Sequence, residues 1–171
     1  MNLLELLKRD EGKTLEFKRD LSSPDGVIKT VIAFANTSGG ILLIGVEDSS
    51  RRVRGVHDPL NLEERVTSLV SDLVSPRIVP EIELLSWRRT HILAIQVHPS
   101  SNRPHHFKRE RQTDGVYVRI GSTNRRADKE LTEELRRFSR SESFDEQPMP
   151  GLSSEALDFR AASESFRPVR V

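Results

Sequence analysis

The chain reads as a mixed α/β fold of the α+β kind, a mixed β-sheet with packed helices, and three observations predict it. A nearly unbroken apolar stretch, Val27 to Val46, is interrupted only by Asn36-Thr37-Ser38-Gly39-Gly40, the pattern of a buried helix, a glycine turn and a buried strand. Two runs with partial alternation, near Ile82–Arg88 and His91–His98, flank the polar pair Arg89-Thr90 as the arms of a hairpin would. Between the apolar stretch and this hairpin Leu62, Val66, Leu69, Val70 and Leu73 recur at helical spacing. A chain of 171 residues can bury one sizeable core but hardly two, so the expected organisation is one domain over 1–142 and a flexible tail or linker over 143–171.

The elements follow in order. Leu3, Leu4 and Leu7 mark a short opening helix, broken by Glu11-Gly12 ahead of an extended Lys13–Lys18. Ser23-Pro24 supplies a capping hydroxyl and a first-turn proline, so a helix should run from Pro24 to Asn36. Its apolar residues cover most of the circumference, which puts it under a sheet. Gly39-Gly40 ends it, because glycine adopts a left-handed C-terminal conformation at little cost, and Ile41–Val46 is a continuous apolar run typical of a central strand covered on both faces. Ser49-Ser50-Arg51-Arg52 turns the chain into a short partner strand, Val53–Val56, before an amphipathic helix opened by Asn61 and closed by Pro76 and Pro80. A third hairpin is expected around Thr113-Asp114-Gly115, with Val116–Ile120 as its second arm. The last helix should begin near Asp128 and run through Leu131, Leu135 and Phe138. Beyond it Ser, Pro, Glu and Gly dominate, and Leu157, Phe159 and Phe166 remain as docking residues of the tail.

Composition narrows the function classes. Charged residues make up 31% of the chain and hydrophobic ones 35%, no stretch approaches a membrane span, and the N-terminus lacks the basic start and long apolar core of a secretory signal. The absence of cysteine excludes disulfides and thiolate metal sites and suits a cytoplasmic protein. The net charge of +1 hides an uneven distribution: residues 1–140 carry 24 Lys/Arg against 20 Asp/Glu, and residues 141–171 carry 3 against 6. Within 99–126, Arg103, Lys108, Arg109, Arg111, Arg119, Arg125 and Arg126 face only Glu110 and Asp114. Such a cluster releases counterions from a polyanion, each phosphate contact steepening the salt dependence by roughly 0.9 log units. The alternative is a solvated basic hairpin.

Three acidic residues, Glu11, Glu16 and Asp48, stand at the edges of the apolar strand-helix-strand stretch, where a metal ion or phosphate chemistry could use them. Motifs in the same region carry a family likeness: Glu11-x4-Glu16-Phe17-Lys18, then Ala33-Phe34-Ala35-Asn36-Thr37-Ser38-Gly39-Gly40, then Leu43-Ile44-Gly45-Val46-Glu47-Asp48 and Val53-Arg54-Gly55-Val56, with Tyr117-Val118-Arg119-Ile120-Gly121-Ser122 as a closing hairpin. Over about residues 5–140 the chain resembles the AlbA-type DNA-binding domain of the Schlafen family. That resemblance implies a lobe like those of the Schlafen core and relatives described as transcriptional regulators. From members that cleave transfer and ribosomal RNA it further implies a divalent-metal-dependent site whose carboxylates fall on Glu11, Glu16 and Asp48. Hard Mg²⁺ or Mn²⁺ prefers oxygen ligands, and the bound ion can polarise a phosphodiester and activate water.

Five positions separate Glu11 from Glu16, an odd number that would put them on opposite faces of a straight strand, so a bend at Gly12 is required if both serve one site. Asp48 would close the group from the end of the neighbouring strand, with Glu47 turned away. Plain structural roles stay open: Glu16 paired with Lys18 or another surface cation, Glu11 ending a helix, Asp48 bonding its own turn. Gly39-Gly40 lacks the Gly-Lys-Ser/Thr continuation of a phosphate loop. For nucleic acid, DNA or structured tRNA-like RNA, the candidate contacts are Lys18, Arg103, Lys108, Arg109, Arg111, Arg119, Ser122, Thr123, Arg125 and Arg126. One Trp and one Tyr supply little base stacking, which favours recognition of shape and backbone. The function reading is a nucleic-acid-binding domain of a transcriptional regulator or Schlafen-like protein; the alternatives are a metal-dependent endoribonuclease and a protein-interaction or sensory module. Because Schlafen cores resemble two such lobes in a clamp, a homodimer is also expected.

Overall fold

Residues 11–46 build the unit on which the rest is assembled. The computed structural model describes residues 2–112 and 114–140, which fall within one compact unit, Met1–Ser141. Helix α1 (Leu3–Lys8) is capped by Asn2, whose side chain accepts from the Glu5 N–H, and it buries Leu3 and Leu6 while Leu4 stays exposed. The chain then doubles back, with Gly12 N–H donating to the Leu15 carbonyl, into strand β1 (Leu15–Lys18). Helix α2 (Pro24–Asn36) returns it to β2 (Gly40–Ile44), which runs parallel to β1 with Leu15 opposite Ile41 and Lys18 opposite Ile44. The helix has the expected span, but the Ser23 hydroxyl makes no capping bond. The Ser23 carbonyl serves instead, accepting from Gly26 and Val27 N–H, and Pro24 removes one donor that would otherwise need a partner.

Gly39 turns α2 into β2 at φ 73°, where its N–H reaches the Phe34 carbonyl; a Cβ there would come within 2.7 Å of the Val97 carbonyl. Helix α3 (Pro59–Leu73) starts three residues earlier than expected, because Asp58 rather than Asn61 is the cap: its carboxylate accepts from the Asn61 N–H. Residues 53–56, expected as a strand, make only isolated bridges, Val46 with Val53 and Val56 with His91. After the short β3 (Val74–Ser75), the hairpin of β4 (Glu81–Trp87) and β5 (Thr90–Val97) forms where predicted, closed through Arg88 at φ 52°. β5 inserts antiparallel between β2 and β4, giving a mixed sheet in the order β1-β2-β5-β4.

The later hairpin is displaced. Strand β6 (His106–Phe107) pairs with β3, and the two-stranded hairpin is β7 (Tyr117–Ile120) with β8 (Thr123–Arg126), turning at Gly121-Ser122 rather than at Asp114-Gly115. The chain does approach itself near the expected turn, since Phe107 N–H reaches the Gly115 carbonyl, but Thr113 lies outside the described residues. Helix α4 (Lys129–Arg140) runs where expected, is capped by Asp128 and buries Leu135 over Val116 and Val118, while Phe138 is exposed. The expected tail over 143–171, with Leu157, Phe159 and Phe166, also lies outside the described residues.

Both faces of the sheet are covered, as the apolar run of β2 requires. Leu42, Ile44, Leu93 and Ile95 pack under α2 and α3, and Leu15, Phe17, Leu43 and Ile92 pack against α1. The mixed α/β expectation therefore holds. Among the described residues no helix is long and apolar enough to cross a membrane.

Candidate functional site

Alternation along β1 decides where Glu16 goes. Leu15 and Phe17 enter the core beneath α1, so Glu16 and Lys18 face the opposite side, paired in register with Leu42 and Ile44 and roofed by α2. Glu16 is consequently only 7% exposed. A carboxylate in such a place must be matched by a cation. The match comes from Arg119 on β7, itself 4% exposed, whose Nη2 bonds Glu16 Oε2. The same guanidinium donates to the Gly12 carbonyl at 3.0 Å and to Asn124 Oδ1 at 2.9 Å, and lies 5.4 Å from the centre of the Phe34 ring.

Lys18 completes the group. Its ammonium sits 2.6 Å from Glu16 Oε1 and 3.3 Å from Asp48 Oδ2, bridging the two strand ends. Burial on its own would lower the Lys18 pKa, yet the pKa is raised, because the hydrogen bonds and negative charge of Glu16 and Asp48 outweigh it. Glu11 arrives from the turn before β1, its Oε1 accepting from the Phe17 N–H at 2.9 Å. Its pKa is raised, first by burial and then by the nearby charges of Glu16 and Asp48, against the Phe17 bond and Lys18. The predicted bend at Gly12 is thus present, as a turn closed by its bridge to Leu15. It does not exploit glycine, for Gly12 has no positive φ and open space where a Cβ would stand. Glu47 turns away, held by Arg54 at 2.7 Å and Ser50 at 2.6 Å.

Glu11, Glu16 and Asp48 therefore share one electrostatic neighbourhood at the carboxyl ends of two parallel strands, the edge at which open α/β sheets take their ligands. A groove of about 780 Å³ opens there, walled by Lys18, Arg19, Ser22, Ser23 and Asp48. The donor set in this arrangement fits an ammonium and a guanidinium rather than Mg²⁺ or Mn²⁺. Both Glu16 oxygens are held by cations, and among the described residues no three carboxylate or imidazole groups stand together as ligands of one ion.

The expected nucleic-acid contacts divide into two sets. Lys108, Arg109, Arg111, Arg125 and Arg126 are exposed, as are Ser122 and Thr123 at the β7–β8 turn. Arg109 pairs with Asp25 at 2.8 Å, a surface pair that a phosphate can replace at little cost, and Arg126 reaches the half-buried Glu110 at 3.1 Å and the Tyr117 hydroxyl at 3.2 Å. Arg103 is half-buried, donating to the Ser100 carbonyl at 2.6 Å. Arg119 is a correction: expected on the binding surface, it lies inside because the buried Glu16 demands a counter-charge.

Two buried polar residues carry roles that the sequence pattern did not assign. Asn36, taken for a turn residue, donates to the carbonyls of His105 and Tyr117, both at 2.9 Å, and accepts from the His105 N–H at 2.7 Å, stapling α2 to β6 and β7. A polar side chain ending an otherwise fully apolar helix face was the signal, since a buried amide needs partners. His105 is 1% exposed, with Nδ1–H donating to the Pro76 carbonyl at 2.8 Å; burial, then the charge of Arg103 and proximity of His106, lowers its pKa against that bond.

A protein-family model described as Schlafen, AlbA_2 matches residues 11–128, which spans the carboxylate group, the sheet and the β7–β8 hairpin. The chain belongs to the Schlafen, AlbA_2 family. Solved structures agree with the AlbA_2 architecture. The N-terminal domain of a RecG-related protein from Nitrosomonas europaea superposes with a TM-score of 0.56 at 29% identity, over 72% of this chain and 91% of that one. The DIP2311 protein of Corynebacterium diphtheriae shares the fold at 19% identity, with a TM-score of 0.59 over 79% of this chain and 31% of its own. Among curated proteins, an uncharacterized ATP-binding protein of Ureaplasma parvum is 35% identical over 78 residues, 42% of this AlbA_2 chain and 22% of that relative. The chain thus spans about a fifth of the length of that relative.

Proposed function

We propose that this AlbA_2 domain binds nucleic acid through the sugar-phosphate backbone. The observation that carries the reading is the exposed cationic surface of Lys108, Arg109, Arg111, Arg125 and Arg126, beside the exposed hydroxyls of Ser122 and Thr123. Family membership supports it, as does likeness to the RecG-related domain, whose parent protein is named for an ATP-dependent DNA helicase. Arginine and short hydroxyls bind phosphate without reading bases, which suits duplex DNA and structured RNA of the transfer-RNA kind equally. A place in a transcriptional regulator follows from this reading, with the domain serving as the element that docks on the polymer.

The test is a salt titration of binding to duplex DNA and to transfer RNA. Reversing two charges, Arg111→Glu with Arg125→Glu, should reduce the slope of log affinity against log salt for duplex DNA by about two, roughly 0.9 for each phosphate that is no longer neutralised. Negligible binding at low ionic strength, or a slope that both reversals leave unchanged, refutes the reading.

A second reading, a divalent-metal-dependent endoribonuclease, is favoured by the gathering of Glu11, Glu16 and Asp48 at one strand edge beside a groove. The cations on Glu16 oppose it in the present arrangement. Transfer RNA incubated with Mn²⁺ and the protein, beside Asp48→Asn, decides: Asp48 is exposed, so the variant keeps the fold, and equal cleavage by both removes the assignment. Self-association of two copies is proposed through the edge strand β4, where antiparallel pairing centred on Leu84 sets Glu81 of one copy opposite Trp87 of the other, close to the turn residue Arg89. Sedimentation at micromolar concentration should show a dimer that Arg89→Glu weakens; a monomer throughout refutes it.

A further inference from the structure

A second cavity, of about 430 Å³, lies on the other side of the loop that walls the carboxylate groove. The two share Arg19, Asp20 and Ser22, so one loop walls both. Leu21 and Leu62, 8% and 9% exposed, and the half-buried Val56 give it an apolar floor. Arg65 from α3 and His57 stand at the rim, both exposed, and among the described residues neither side chain has an ion-pair or hydrogen-bond partner.

The acids in the same wall are already engaged. Asp20 accepts from the Ser22 hydroxyl and, at 2.9 Å, from the Ser22 N–H, and pairs with Arg19 at 2.8 Å, contacts that in this order hold its pKa down at about 2. Asp58 is spent on the Asn61 N–H that opens α3. What remains free for a ligand is a guanidinium, an imidazole and the Asn61 side-chain amide above an apolar floor. A guanidinium fork matches phosphate oxygens in pairs, an amide serves as both donor and acceptor to the edge of a base, and the volume falls within the usual range for small ligands.

We propose that this cavity is a mononucleotide subsite: one unpaired nucleotide lays its base on Leu21, Val56 and Leu62 and sets its phosphate on Arg65 and His57. The proposal rests on the nucleic-acid reading above and sharpens it, because it requires a single-stranded end or a flipped-out nucleotide at this position, whereas the cationic surface over 108–126 takes the backbone of a duplex.

The experiment titrates the full 171-residue chain with AMP, with UMP and with inorganic phosphate, following backbone amide signals of residues 55–65. Either nucleotide should move those signals and bind at least roughly tenfold more tightly than phosphate, as expected when a base is buried beside the charge. Arg65→Glu should weaken nucleotide binding by roughly tenfold or more, Arg65→Lys should restore part of it, and both should leave duplex binding unchanged. Signals that stay still, phosphate binding as tightly as nucleotide, or an Arg65→Glu protein that binds nucleotide normally would overturn the subsite. Duplex binding without nucleotide binding sinks the subsite alone; nucleotide binding without any polymer binding keeps the subsite and sinks the polymer reading.

Discussion

Replacing Arg119 by methionine separates its internal role from the surface role that the sequence suggested. The substitution keeps most of the side-chain volume and removes the guanidinium, so Glu16 loses its Oε2 partner while the Gly12 carbonyl and Asn124 lose their donor. Breaking a buried pair on one side costs about 3–5 kcal/mol, and since Lys18 still holds Glu16 Oε1 the lower end applies, about 3 kcal/mol. In urea the midpoint should fall with the slope unchanged, by an amount near that cost divided by the slope. Adding Glu16→Leu removes the stranded carboxylate, so the double variant should be more stable than Arg119→Met by about 1 kcal/mol or more. Nucleic-acid affinity of the folded Arg119→Met protein should keep its salt slope. A stability loss below about 1 kcal/mol, or strictly additive single changes, would refute the buried-pair argument; a slope reduced by about one would restore Arg119 to the binding surface.

Other perturbations read other parts of the same structure. Asn36→Ala strands two carbonyls and one N–H in the interior and should cost about 3 kcal/mol by denaturant melting, with hydrogen exchange rising first around His105 and Tyr117. Glu11→Gln should raise the melting temperature at neutral pH and lose that advantage in acid. The reasoning is that a carboxyl whose pKa rises on folding contributes its stability while protonated and loses it as pH climbs through the folded value. Melting curves of both proteins from pH 4 to pH 8 check this, and a gap that is constant across the range contradicts it. Gly55→Ala places a Cβ at φ 75° and 1.7 Å from Thr90 Oγ1, so it should destabilise by about 2 kcal/mol or more, and Thr90→Ala in the same chain should recover part of the loss.

The fold was legible wherever a pattern was local. The buried helix Pro24–Asn36 and the β4–β5 hairpin depend on spacing within a dozen residues, and both appear close to where the sequence put them. The turn at Gly12 was legible too, demanded by the odd spacing of Glu11 and Glu16. What could not be read was the partner each charge would choose. Arg119 and Glu16 lie 103 residues apart, and a run of arginines looks alike whether its members point outward or one of them is drawn into the core. The strand expected over Val53–Val56 failed for a similar reason: β5 took the place beside β2 and left this segment only its bridges to Val46 and His91. The Asp58 cap was missed because the expectation rested on Asn61 alone, whereas Pro59 fixes the first helical turn and so puts Asp58 in the capping position.

The bond between Arg119 and Glu16 also sets an order of events in a growing polypeptide. Strand β1 leaves the ribosome about a hundred residues before the side chain that neutralises it, so until β7 emerges the N-terminal third must keep an acidic group wet or lean on Lys18 alone. The sheet can collapse early, but its roof over Glu16 can close only when the last hairpin arrives, which makes that hairpin the latch of the whole unit.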